Sequence, residues 1–326
     1  MLSVFRGLVL IVAVVALARE ARSLNAASIG HQLQSYGPRH IALGAAATVA
    51  SFLVLGMIEV LGVRAWAHLS RVGTATALMT SFVANALSQS IGVSVLTGAA
   101  VRARAYSRDE VGAAAVGRVT AFVTITATLG LIVAGGVALL LVSPQAAIGR
   151  FSVAAIPMGL LLLAPACGYL AWSAFGRASH IGSGNWTVER PSAPIALTQL
   201  VLSVGDWILA ATVLYAFMPS SMGLRYTAVV SGYIIAQLVA VTSHVPAGAG
   251  VLEVSILALL ARDADAATRA AVAAALVMFR AMYYLLPLLA ATLLALAAEL
   301  RFRTSARGAG DRAPRGAMTA TVPDAG

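Results

Sequence analysis

Lysine is absent from the sequence, and charged residues of any kind are scarce. Of the 326 residues, 10% are charged and 60% are apolar, and the mean hydropathy is +0.89. Because soluble domains carry about 25% charged residues, this composition excludes an ordinary soluble enzyme. The 22 basic residues are all arginine, against 12 acidic residues. In a membrane protein such arginines set the topology and meet anionic headgroups, so they predict no nucleic-acid partner.

Cysteine and nucleotide-binding motifs are also scarce or missing. A single cysteine, Cys167, excludes an internal disulfide, a Cys-x-x-Cys metal knuckle and a haem attachment site. The pattern Gly-x-x-x-x-Gly-Lys-Ser/Thr does not occur, so an ATP-driven pump in this chain is not expected. Ser243, His244 and Glu253 lack the Gly-x-Ser-x-Gly elbow of hydrolases. We therefore expect no enzyme activity, no cofactor and no metal site.

Long apolar runs recur from end to end, without a competing period-two strand pattern. Helices satisfy their backbone polar groups in hydrocarbon, so we predict an all-α polytopic membrane protein. The N-terminal run resembles a signal peptide in length, but we expect it to remain as the first span. The last run holds Pro287 and is overlong, so it must tilt, kink or project into water. Six full spans are predicted, at residues 2–18, 41–63, 119–142, 155–175, 195–217 and 271–300.

Two further apolar segments fit poorly as plain spans and are predicted to be re-entrant helical hairpins. Residues 74–101 carry Asn85, Ser88 and Gln89 near their midpoint, where such side chains usually bind helices together. Residues 226–261 centre on the sequence SHVPAGAGVLE. Each segment has the pattern of two short helical halves joined by a polar or glycine-proline turn. Spans and hairpins together give about eight apolar segments, with the longest polar loop at residues 176–194.

The distribution of arginine predicts the orientation of the chain. Residues 301–326 form a basic tail that we expect to be disordered and cytoplasmic. If both broken segments are hairpins, the arginines at residues 102–108 are cytoplasmic too, as are both termini. Residues 1–300 then form one integral membrane domain, in which span–hairpin–span at 41–142 recurs inverted at 195–300. Inverted repeats with discontinuous helices are a common transporter plan.

Three motifs resemble the transmembrane (flippase) domain of bacterial lysylphosphatidylglycerol synthases. They are SFVANALSQSIGVSVLTGAAVRARAYSRDEVG at 81–112, SHVPAGAGVLE at 243–253 and FRAMYYLLPLL at 279–289. The resemblance covers about residues 40–300, and the proline-to-glutamate loop is its most specific part. Two loop positions depart from the family pattern, because Ala247 and Ala249 stand where the family has glycine. We expect a member that lacks the soluble synthase domain, so the resemblance implies lipid translocation without the synthase chemistry.

The loop after Pro246 is predicted to break a membrane helix and start another. Gly248 and Gly250 give the backbone freedom for the turn, and a half-helix beginning near Gly250 would place its positive N-terminal end at membrane depth. Glu253 lies in the first turn of that half-helix. It either caps the helix or contacts a cation or substrate headgroup, since intramembrane carboxylates are costly and are functional by default.

Asp206 and Arg280 are two further charges inside apolar runs. Asp206 at the centre of the span 195–217 must face a partner or a wet cavity, either for function, including proton coupling, or as part of a buried ion pair. Arg280 either pairs with Asp206 or Glu253, grips a phosphate, or extends toward the membrane surface. Glu59 is expected to pair with Arg64 near the interface.

Five other candidate site residues have open interpretations. Arg102 and Arg118 either anchor helix ends on the cytoplasmic side or recruit anionic lipid. Tyr283 and Tyr284 either contact a headgroup or belong to an interfacial aromatic belt. His244 is either hydrogen-bonded structure or a switch.

The functional hypothesis is a translocator of a phospholipid or lipid-linked headgroup in the bacterial inner membrane. Its partners would be the membrane lipid substrate, a coupling proton, other copies of the chain and envelope lipid-biosynthesis enzymes. Two alternatives stay open. One is a secondary transporter of a small polar solute, and the other is a non-transporting membrane partner of an envelope lipid or glycolipid enzyme.

Overall fold

The computed structural model describes residues 36–91, 94–141, 155–176, 180–183, 186–243, 245, 248, 250–294 and 296–297. This part of the chain folds into nine α-helices and one short β-hairpin. The helices are α1 Pro38–Leu61, α2 Thr74–Ile91, α3 Ser94–Tyr106, α4 Ala113–Leu141, α5 Ala155–Phe175, α6 Ala193–Phe217, α7 Tyr226–Thr242, α8 Val251–Leu260 and α9 Ala266–Arg280. Helix α1 continues into a π-helical turn, Gly62–Trp66, and α9 continues through another, Ala281–Leu285, as far as Leu294.

Five helices are long and apolar enough to cross a membrane: Pro38–Trp66, Ala113–Leu141, Ala155–Phe175, Ala193–Phe217 and Ala266–Leu294. They coincide with five of the six predicted full spans, and the chain is an all-α polytopic membrane protein. The helix predicted at 119–142 begins six residues earlier, at Ala113, and the one predicted at 271–300 begins five earlier, at Ala266. The predicted first span at 2–18 and the tail at 301–326 lie outside the described residues.

Both broken segments consist of two short helices, as predicted. The first is α2 followed by α3, and the chain between them, residues 92–93, lies outside the described part. The second is α7 followed by α8. Each short helix packs against its partner in the same segment. A polar backbone turn in a membrane is stable only where protein or a cavity covers it, and this pairing provides part of that cover.

The long polar loop at 176–194 contains a feature that the sequence pattern did not predict. Strands β1, His180–Ser183, and β2, Trp186–Glu189, form a two-stranded antiparallel hairpin. Its register pairs His180 with Glu189 and Ser183 with Trp186. The strands are only four residues long, too short for alternation to be distinguished from ordinary loop sequence.

Helices α1 and α6 pack along each other at the centre of the bundle, and the other helices are arranged around them. Each main contact between helices of the first half has an equivalent in the second half. If α1, α2, α3 and α4 are exchanged for α6, α7, α8 and the long last helix, each principal contact maps onto another. For example, α4 packs on α6 and α7, and the turn Ala281–Leu285 packs on α1 and α2. Helix α5 packs against α4 and α6 and has no counterpart among the described helices.

A close approach between helices fixes α4 against α6. A Cβ atom added at Gly130 of α4 would lie 2.9 Å from the backbone carbonyl carbon of Ser203 and still nearer to its side chain. Only glycine fits at this position, because no rotamer change can move a backbone atom. The contact lies one turn before Asp206 and holds α6 in place there.

Candidate functional site

The second broken segment has the backbone geometry that its glycines predict. Gly248 and Gly250 adopt φ angles of +59° and +82°, which side-chain-bearing residues rarely adopt. Helix α8 begins directly after Gly250, whose backbone N–H donates a hydrogen bond of 2.8 Å to Oε2 of Glu253. The predicted half-helix start and the capping role of Glu253 are confirmed. Pro246 and His244 lie outside the described residues.

Glu253 also forms an ion pair with Arg280, whose Nε donates to Oε1 of the carboxylate. The Arg280 side chain is 9% exposed, whereas that of Glu253 is 26% exposed. The carboxylate therefore bridges the N-terminus of α8 and the last helix, with one side open. Of the alternatives left by the sequence, pairing of Arg280 with Glu253 is the one that the structure contains.

Arg280 lies near the middle of the helix Ala266–Leu294, so it does not sit at a helix end. The turn that follows is π-helical, with the N–H of Leu286 bonded to the carbonyl of Ala281. Tyr283 and Tyr284 in this turn are 4% and 7% exposed. Assignment of these tyrosines to an interfacial aromatic belt was wrong, because they pack inward. The guanidinium carbon of Arg280 lies 5.7 Å from the centre of the Tyr284 ring, a distance suited to a cation–π contact.

A second glutamate–arginine pair lies in the first half of the chain. Arg102 of α3 donates three hydrogen bonds of 2.7–3.0 Å to the Glu59 carboxylate, and Tyr106 Oη donates a fourth at 2.7 Å. The Glu59 and Arg102 side chains are 0% and 4% exposed. Gly98 makes room for the guanidinium, since a Cβ there would lie 2.7 Å from Nη1 of Arg102.

This buried pair corrects two predictions. Glu59 does not pair with Arg64, whose exposed guanidinium donates instead to the carbonyls of Leu69 and Ser70. Arg102 is not a surface anchor that meets lipid, because a buried carboxylate holds it. Arg64 lies within the π-helical turn Gly62–Trp66 that follows α1, and closeness in sequence was a poor guide to the partner of Glu59.

Asp206 is buried between α6 and α1, with 8% exposure. Ser51 Oγ of α1 donates to Asp206 Oδ1 at 2.5 Å and lies 2.9 Å from Tyr283 Oη. Asp206 has no arginine partner among the residues that the structure describes. The predicted alternative of a buried ion pair at Asp206 is therefore absent from the described part of the chain. Ser51 escaped the sequence analysis because serine is common in membrane helices and carries no charge.

The remaining charged candidate stands apart from these groups. Arg118 is exposed in the second turn of α4. The structure thus joins Glu253 with Arg280, and Asp206 with Tyr283, and it assigns Arg102 to Glu59. No group of three or more His, Cys, Asp or Glu side chains that could hold a metal ion occurs in the described part of the chain.

Asp265, just before the long last helix, is a carboxylate of a different kind. Its Oδ1 accepts a 2.7 Å hydrogen bond from the backbone N–H of Thr268 and caps α9. Hydrogen bonding by Thr268, from its side chain first and then from its backbone N–H, lowers the pKa of Asp265 below its ordinary value.

Comparison with known proteins supports the membrane character of the chain. No family model matches it. The chain is 31% identical over 214 residues to an uncharacterized protein of Synechocystis sp., a match that spans 65% of each protein. It is 26% identical over 247 residues to the inner membrane protein YbhN of Escherichia coli, covering 74% of this chain and 75% of YbhN. Its similarity to an inner membrane protein thus accords with its five helices of membrane-spanning length.

Proposed function

We propose that this protein is a translocator in the bacterial inner membrane that moves a phospholipid or a lipid-linked headgroup between leaflets. Three observations support this function. The motifs resemble a flippase domain, the chain is similar to an inner membrane protein, and an arginine and a half-helix N-terminus share one carboxylate inside the bundle. The third observation carries the proposal.

Arg280 and the start of α8 offer the chemistry that a headgroup phosphate needs. A guanidinium binds phosphate through paired hydrogen bonds, and helix N-termini bind anions through their free N–H groups. Glu253 occupies both donors in the present arrangement. Since its side chain is 26% exposed, an arriving phosphate can displace it from the outside. Once Glu253 is displaced, Arg280 and the Gly250 N–H would both donate hydrogen bonds to the substrate phosphate.

The arrangement of helices supports a path for the headgroup. We propose that residues 41–142 and 195–300 are inverted repeats, because the principal contacts exchange when the helices of one are replaced by those of the other. Transporters of this plan hold the substrate at the repeat interface and move one repeat against the other. The headgroup would cross between the repeats while its acyl chains remain in lipid.

The test is translocation of fluorescent phospholipids with different headgroups in liposomes that contain the purified full chain. We expect accelerated transbilayer movement of at least one headgroup class. Arg280→Lys should slow it about tenfold or more, since lysine keeps the charge but loses the paired hydrogen bonds. Glu253→Gln should slow release of the lipid and increase the amount that copurifies. Arg269→Gln, an exposed change on the same helix, is the matched control and should leave the rate unchanged.

Failure of wild-type protein to accelerate any headgroup would contradict the proposal. Uptake of a small polar solute by the same liposomes would then support a secondary transporter. Copurification with an envelope lipid or glycolipid enzyme, with cellular function retained by Glu253→Gln, would support a non-transporting partner.

A further inference from the structure

Asp206 lies where the two halves of the protein meet. Asp206 stands 13 residues after Ala193, the first residue of α6, and Ser51 stands 13 residues after Pro38, the first residue of α1. The two residues thus occupy equivalent positions in helices that exchange in the contact pattern, and they are hydrogen-bonded to each other. Any movement that separates α1 from α6 must break this contact.

A chain of polar side chains continues from Asp206 through the interior. Ser51 contacts both Asp206 and Tyr283, so α6, α1 and the turn Ala281–Leu285 contribute to one connected set of polar groups. Gln89 of α2 lies near Tyr283, and its buried Oε1 atom has no hydrogen-bond partner in the described part of the chain. A buried polar atom of this kind is where a bound water molecule is stabilised.

Among the residues that the structure describes, no cation pairs with Asp206. Arg280, in the last helix, is paired with Glu253. On α1, Glu59 is held by Arg102, and the single charged residue of α4, Arg118, is exposed in its second turn. Among the described residues, the titratable groups close enough to Asp206 to interact with its charge are the phenols Tyr233 and Tyr283.

A charged carboxylate in this position is costly, since the centre of a membrane helix disfavours an ionised aspartate. The neutral, protonated carboxyl avoids that cost and keeps the hydrogen bond with Ser51. Water entering between α1 and α6 would remove the cost of the charged form. The protonation of Asp206 is thus tied to whether this interface is closed or hydrated.

We propose that Asp206 takes up and releases one proton per cycle as α1 and α6 close and separate, and that this proton drives translocation. In the hydrated state a carboxylate oxygen accepts a proton from a hydronium ion: one O–H bond forms on Asp206, the hydronium O–H bond breaks, and water is left. In the closed state the neutral carboxyl is buried, and reopening on the other side returns the proton to water. The inference rests on the translocator function, to which it adds an energy source.

The described groups fit a proton better than a metal cation. Ca²⁺ and Mg²⁺ take six or more oxygen ligands, whereas the directly connected oxygens here are those of Asp206, Ser51 and Tyr283. Hydroxyl groups in series are also able to relay a proton, which needs no coordination sphere.

The test has two independent readouts on the full-length protein. Infrared difference spectroscopy across a pH titration should show a buried protonated carboxyl band that Asp206→Asn abolishes and Glu253→Gln and Asp263→Asn retain. Asp263 is exposed and provides the matched aspartate control. In liposomes, a pH gradient should accelerate lipid movement by wild type severalfold, and Asp206→Asn should lose that acceleration while its thermal unfolding stays close to wild type.

Opposite results would overturn the proton assignment. Identical infrared spectra for wild type and Asp206→Asn would show that this carboxyl never holds a proton. A response to Na⁺ at constant pH, lost in Asp206→Asn, would replace the proton by a sodium ion. The infrared readout does not depend on lipid movement. If no headgroup moves but the band is present, the translocator proposal fails while the proton site stands.

Discussion

The two glutamate–arginine pairs of this protein have the same chemistry but different surroundings. Glu59 and Arg102 are sealed inside the first half, and four hydrogen bonds from two side chains saturate the carboxylate. Glu253 and Arg280 lie in the second half, where the carboxylate is partly exposed and one of its bonds comes from a helix start. The comparison shows that two pairs of the same residue types differ in burial and in the source of their hydrogen bonds, and only the second has the exposure that the proposed exchange with a phosphate requires.

The buried pair of Glu59 and Arg102 joins two distant parts of the chain. Glu59 belongs to α1 and Arg102 to the second helix of the first broken segment, 43 residues later. Breaking a buried pair costs much more than the pair contributes relative to apolar residues, because one charge is left uncompensated. The pair of Glu253 and Arg280 avoids part of that penalty, since its carboxylate is partly exposed to water.

The largest expected effect separates the two pairs by stability. Glu59→Gln should lower the free energy of unfolding by about 3–5 kcal/mol, because it leaves Arg102 buried without a counter-charge. Glu253→Gln should lower it by about 1 kcal/mol, since its carboxylate is partly hydrated. Reversible unfolding in mixed detergent micelles measures both. Equal losses would remove the distinction on which the proposed site rests.

The next effect tests whether the start of α8 needs its strained backbone. Gly250→Ala should lower the free energy of unfolding by about 1–2 kcal/mol, because alanine disfavours a φ of +82°. Gly117→Ala is the matched control. It lies within α4 with nothing within 4 Å of the added Cβ, so alanine should be neutral or stabilising by up to about 1 kcal/mol. If Gly250→Ala behaves like the control, the helix start is not strained.

The smallest effect concerns Asp265, an exposed carboxylate that caps α9 and belongs to neither pair. Its lowered pKa means that the cap stabilises the protein above about pH 4, the ordinary aspartate value, and that this contribution is lost as pH falls further. Asp265→Asn keeps a capping side chain without titration. Wild type should therefore lose stability relative to this variant on acidification below about pH 4. Parallel pH profiles would contradict the assignment.

Much of the helical architecture could be predicted from the sequence, because segments that cross a membrane must be apolar and helical. Apolar runs located the five described spans, and the glycines of the second break located the start of α8 to the residue. Glu253, Asp206 and Arg280 stood out because charges are rare in such runs. The sequence identified these three residues as candidates, but it left their partners open.

Partners were harder to predict because they depend on packing between distant segments. Arg64 was the nearest arginine to Glu59 in the sequence, yet the buried pair forms with Arg102. Ser51 carried no signal, although it is the direct partner of Asp206. Tyr283 and Tyr284 are of the residue type that forms interfacial aromatic belts, and only the packing of the last helix shows that they face inward.

The π-helical turn Ala281–Leu285 has a geometric consequence for everything after it. One additional residue in a helical turn rotates the following segment by about 100° relative to an uninterrupted α-helix. Arg280 precedes this offset, whereas Leu288 and Ala291 follow it and pack against α2 and α1. The last helix therefore presents two differently oriented faces, one toward the start of α8 and the other toward the first half of the protein. It is one continuous helix in which the contacting face changes direction at the π-helical turn.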